Sequence, residues 1–83
     1  MMKAGDKFKV QKGNKTIGLL ANNSGRVREV EVTDRVVRVV LAPTFGPNSV
    51  TVWARYARSL ANPSVSLGNG DGINAININW TAA

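Results

Sequence analysis

Apolar and polar side chains alternate along several short runs of this chain, and that period of two constrains its fold more than any other feature. Lys7-Phe-Lys-Val-Gln-Lys12 places its apolar residues at every second position, and Ile73-Asn-Ala-Ile-Asn-Ile-Asn-Trp80 ends in the same way, with Ile76, Ile78 and Trp80 on one side and Asn77 and Asn79 on the other. Successive side chains of a strand point to opposite faces, so this spacing describes half-buried strands rather than helices. Turn-forming clusters punctuate the runs: Gly13-Asn14, Asn22-Asn-Ser-Gly25, Ala42-Pro-Thr-Phe-Gly-Pro47 and Gly68-Asn-Gly-Asp-Gly72. The expectation is an all-β, mainly antiparallel chain of five to seven short strands, closed as a small barrel or stacked as a compact sandwich.

The runs also suggest pairings. Gly13-Asn14 suits a two-residue hairpin turn between Lys7–Lys12 and Lys15–Leu20, because glycine accepts a positive φ without steric penalty. Val10 would then oppose Ile17 and Phe8 would oppose Leu19, all on one face, leaving Lys7, Lys9, Gln11 and Thr16 on the other. Arg26-Val-Arg-Glu-Val-Glu-Val32 slips phase between Arg28 and Glu29, which a β-bulge would repair by turning Val27, Val30 and Val32 to one side. A short turn at Thr33-Asp34 would set Val30 against Val37 and Glu29 against Arg38. In Arg35-Val-Val-Arg-Val-Val-Leu41 both faces are largely apolar, the pattern of a strand covered on two sides. Pro63–Leu67 reads as a further short strand. Residues 49–61 fit best as a strand over Val50–Tyr56 with an irregular exit, with a short helix capped by Ser49 and ended by Asn62-Pro63 as the alternative.

The chain is 83 residues long, one domain over 1–83, near the size at which a single core only just suffices. It has neither cysteine nor histidine, so disulfides and thiolate or imidazole zinc sites are excluded. A small domain without such staples gains stability by oligomerising, so homo-oligomerisation is an expectation. No window approaches the about 18 continuous apolar residues of a membrane span. Met1–Val10 lacks the apolar stretch of a secretory signal, so a cytoplasmic or virion-associated protein with no membrane partner is expected.

Catalysis finds few candidates. Without histidine or cysteine the commonest bases, soft metal ligands and thiol nucleophiles are missing. Glu29 and Glu31 could share a strand face, but four arginines crowd the same stretch, so ion pairing is their expected role. Gly68-Asn-Gly-Asp-Gly72 has one carboxylate where calcium takes six to eight oxygens, and no helix follows it to cradle a phosphate. The expectation is a non-enzyme with no cofactor and no metal.

Eleven Lys and Arg against five Asp and Glu give a net charge of +6, which favours polyanionic partners. Lys3, Lys7, Lys9, Lys12 and Lys15 crowd the first fifteen residues, and in the strand reading Trp53 shares a face with Arg55, with Arg58 close behind. Lysines track a phosphate backbone and an exposed Trp–Arg pair stacks a base, so these eight residues form the candidate nucleic-acid site, for RNA or DNA. Lys3-Ala-Gly-Asp-Lys-Phe-Lys-Val10 resembles the first-strand entry of SH3-like small barrels, a family that often binds nucleic acid or peptides. The resemblance covers eight residues and transfers no functional residue; it implies an SH3-like barrel, and the fold expected is an SH3-like or OB-like barrel or a compact sandwich. Two other readings stand beside the nucleic-acid one. The two-faced apolar strand and the abundance of Val, Asn and Gly suit a self-assembling structural protein of a viral or phage capsid. Trp53, Arg55 and Tyr56 suit an inhibitor or adaptor that docks on another protein.

Overall fold

The computed structural model describes all 83 residues as six antiparallel strands closed into a barrel. The strands are β1 Lys7–Lys12, β2 Ser24–Val32, β3 Val37–Pro43, β4 Val50–Ala54, β5 Ser64–Gly68 and β6 Ala75–Thr81. Each pairs with its neighbours in sequence, and β6 returns to β1, so the sheet is an up-and-down meander without free edges along most of its circumference. A 3-10 turn, Ala57–Ala61, links β4 to β5. Residues 49–61 therefore follow the strand reading with an irregular exit.

Every second residue feeds the core. Phe8, Val10, Val27, Val37, Val39, Leu41, Val52, Ala54, Val65, Leu67, Ile76 and Ile78 are the buried strand residues, and Met2, Leu19 and Leu60 from outside the strands complete the same cluster. Trp80 packs against this cluster while its indole N–H donates to the Asn62 carbonyl. Burial of that many aliphatic side chains, each worth about 1.5–3 kcal/mol relative to exposure, is the main force for closure. No helix is long and apolar enough to cross a membrane.

The first hairpin differs from the expectation. Residues 15–20 form no strand; β1 pairs instead with β2 (Lys7 with Arg26, Lys9 with Ser24) and with β6. Asn14 explains the difference. Its side-chain oxygen accepts from the amides of Thr16 and Ile17, and its carbonyl accepts from Gly18 N, so the backbone is captured in a local turn before it can extend. Gly13 does not supply a positive φ. It is needed because the chain recrosses it: a Cβ there would lie 2.5 Å from Leu20 Cα. The apolar face survives the change, since Leu19 is buried and Ile17 packs against the core.

The β2–β3 hairpin has the expected bulge, with the register shifting between Val27 and Glu29. Its turn is one residue further on than Thr33-Asp34. Thr33 N donates to the Val36 carbonyl while Thr33 Oγ1 accepts from Val36 N, leaving Asp34 and Arg35 as the two loop residues. Val32 thus pairs with Val37 and Glu31 with Arg38, in place of the expected Val30 with Val37 and Glu29 with Arg38. A one-residue displacement of a hairpin turn moves the register by two, which preserves the faces. Val37, Val39 and Leu41 still point in.

Candidate nucleic-acid interface

β1 runs between β2 and β6, so its outward side chains form the middle of a three-strand face. Phe8 and Val10 point into the core; Lys7 and Lys9 point away from it and are exposed, as is Lys12 at the strand end. Across the ladder Lys7 stands between Arg26 on β2 and Thr81 on β6, and Lys9 between Ser24 and Asn79. Lys12 pairs with Asn77 past a register shift. The comb continues onto β5, where Ser64 pairs with Asn79 and Ser66 with Asn77. Gln11, Ser64, Ser66, Asn77 and Asn79 line a shallow polar groove of about 450 Å³ beside the lysines.

None of these cations is neutralised. The two ion pairs of the molecule both belong to Arg38, whose guanidinium meets Glu29 at 2.6 Å and Glu31 at 3.1 Å on the outer face of β2–β3. Hydrogen bonds to Glu31 and then Glu29 raise the pKa of Arg38 further. Asp6 is buried and bound to backbone amides. Asp34 lies in the β2–β3 turn. Asp71 is held by its own loop: the Asn74 and Ile73 amides and the Asn74 side chain lower its pKa to about 2. Four side chains, Lys7, Lys9, Lys12 and Arg26, therefore carry unopposed charge on one face. Arg26 was absent from the sequence-derived set, and only the register brings it beside Lys7, with its guanidinium steadied on the Gly5 carbonyl.

The other expected site residues are placed elsewhere. Lys3 is exposed in the turn that precedes β1, and Lys15 is exposed in the loop captured by Asn14. Trp53 lies on β4, three strands from β1 in either direction round the barrel, and Arg55 and Arg58 follow on the same side. The structure does not bring these three to the lysines. Trp53 is half-buried: a Cβ on Gly70 would lie 3.7 Å from its ring atoms, so the glycine loop is seated against the indole. Arg58 covers the ring of Tyr56, 4.4 Å from its centroid. The lysine face itself carries no aromatic side chain, since Phe8 and Trp80 point inward there.

Val40, the outward valine behind the self-assembly expectation, is already only 7% exposed within a single chain. It stands between Glu29 and Thr51, with Arg38 and Ala42 on either side along β3.

Comparison of the chain with protein-family models, with curated proteins and with solved structures gives no match. What the fold can do has to be read from its own surface.

Proposed function

We propose that this small barrel is a nucleic-acid-binding module that grips the phosphate backbone through the outer face of β1 and its flanks. The observation that carries the reading is the set Lys7, Lys9, Lys12 and Arg26, gathered on one face with no carboxylate partner. Four such cations release counterions from a polyanion and so confer salt-dependent affinity. The neighbouring Asn77, Asn79, Ser64 and Ser66 offer donors and acceptors to phosphate and sugar oxygens at the same depth.

The same face favours duplexes over single strands. Single-strand binders combine positive charge with aromatic platforms on which bases stack. Here the half-exposed aromatics lie round the barrel, on and after β4, so the lysines act without them. Binding is therefore expected to depend on charge density and little on sequence.

Fluorescence anisotropy with a short labelled duplex, repeated over a range of salt concentrations, tests the reading. With four contacts the slope of log affinity against log salt is expected at about −3.6. Lys7→Glu combined with Lys9→Glu should abolish binding and leave the thermal midpoint nearly unchanged, because both side chains are exposed. Unaltered binding by that double variant overturns the reading.

A further inference from the structure

The barrel is barely closed between β4 and β5. Every other neighbouring pair shares several residue pairs, whereas these two strands share only Trp53 with Gly68. Continuing that register would pair Arg55 with Ser66 and Ala57 with Ser64. Instead the chain leaves β4 at Ala54 and coils into the 3-10 turn, and a groove of about 750 Å³ opens between that exit and β5.

The backbone on the β5 side of this groove is unpartnered. Trp80 N donates to the Pro63 carbonyl and Asn69 N to the Asn74 carbonyl, which fixes the alternation along β5. In an antiparallel ladder alternate residues bond to one neighbour and the residues between them point to the other. Val65 and Leu67 therefore spend their amides and carbonyls on β6, while those of Ser64 and Ser66 face the groove. Gly68 uses its own on Trp53, and β4 offers nothing to the two serines. An open edge of this kind is a template for an added strand.

The side chains round the groove say what such a strand would carry. Ile73 is 85% exposed at its rim, with Trp53 and Tyr56 nearby. Arg55 lines the groove, Arg58 stands over Tyr56, and no acidic residue is among the lining residues. A second copy of the chain, itself at +6, is a poor electrostatic match. We propose that the β4–β5 groove is a second binding site, which accepts an extended peptide from a protein partner as an added strand on β5. On its outward face the peptide carries both apolar side chains, which cover Ile73 and Trp53, and acidic ones, which meet Arg55 and Arg58. Its backbone pairs with Ser64 and Ser66. The lysines take no part in it, although Ser64 and Ser66 border both surfaces, through their backbone here and through their side chains on the lysine side.

The test is an NMR titration of the intact protein with a blocked, extended peptide whose outward positions include both aspartate and valine. Shift changes are expected at Ser64, Ser66, Arg55 and Ile73. At a peptide concentration about ten times Kd, amide exchange at Ser64 and Ser66 should slow about tenfold. Arg55→Glu, an exposed change that leaves the core intact, should weaken binding by about tenfold or more. Ser66→Pro, at a position whose N–H faces the groove and not β6, removes that donor and fixes φ there, and should abolish the protection at Ser64. Four results would each overturn the proposal. They are no shift change in the groove, equal binding of an arginine-for-aspartate peptide, an oligothymidine that displaces the acidic peptide from Arg55 and Ile73, or concentration-dependent protection of Ser64 and Ser66 with no peptide present. Because Lys7 and Lys9 take no part, the double glutamate variant that tests the lysine face should still bind the peptide.

Discussion

Asp6 holds both ends of the chain with one carboxylate. Its Oδ2 accepts from Lys3 N at 2.8 Å and its Oδ1 from Ala83 N at 3.2 Å, while its own carbonyl accepts from Val27 N. The side chain is fully buried, and removing it would take their partner from two amide donors, Lys3 N and Ala83 N. Asp6→Ala is expected to cost about 1–3 kcal/mol, read as a lower urea midpoint with an unchanged slope. A change within error would show that solvent satisfies those amides equally well. Asp71 predicts a pH dependence. Its carboxylate accepts from Asn74 and Ile73 in the folded loop, so its pKa is lowered from 3.8 to about 2. A group depressed on folding contributes stability that is complete above its unfolded pKa and is lost as pH falls through the folded one. Part of the acid destabilisation between those two values should therefore vanish in Asp71→Asn, and the Asp71 carboxyl resonance should titrate near the lower one. Neither role was visible from composition. Asp6 precedes an alternating strand and Asp71 sits in a glycine loop, and in both cases the partners are backbone groups that the sequence does not name.

At the scale of elements, alternation proved a reliable guide to faces and a poor one to partners. Phe8, Val10, Val27, Val39, Leu41, Ile76 and Ile78 all lie inside, where the period of two puts them. The bulge beside Arg28 was legible because a phase slip has one local repair. The first hairpin was not, because a Gly-Asn pair between alternating runs fits a two-residue turn. Deciding against that turn required knowing that Asn14 would bond Thr16 and Ile17 and that β6 would take the other edge of β1. The first of these is local side-chain competition; the second is a contact between the two ends of the chain. Gly13 tests the account. In a plain hairpin turn, alanine at Gly13 would cost little more than backbone strain. Here its Cβ would meet the backbone of Leu19, Leu20 and Ala21 at 2.5–2.6 Å. Gly13→Ala is therefore expected to cost about 1–3 kcal/mol by overpacking, with chemical denaturation as the measurement. Neutral behaviour would mean that the crossing is looser than described.

The whole molecule decides which charges act together. Net charge and the lysine run pointed to a polyanion, and parity put Lys7 and Lys9 outside; with Lys12 at the strand end, only Arg26 of the four had to wait for the register. Strand order could not be read directly, because it depends on pairings between distant segments. That order separates β1 from β4 by three strands on either path and so divides the eight expected residues between two sides. The division makes a prediction in which net charge is its own control. Lys9→Glu and Arg55→Glu each lower the charge by the same amount, and both positions are exposed. The molecule measures 31 × 30 × 20 Å, whereas the screening length at physiological salt is about 8 Å. A duplex seated on β1 therefore hardly senses position 55. Lys9→Glu should lower duplex affinity by about tenfold or more and reduce the salt slope by about 1, while Arg55→Glu should leave both nearly unchanged. Equal losses in the two variants would mean that the barrel attracts nucleic acid by its overall charge alone, with no defined face.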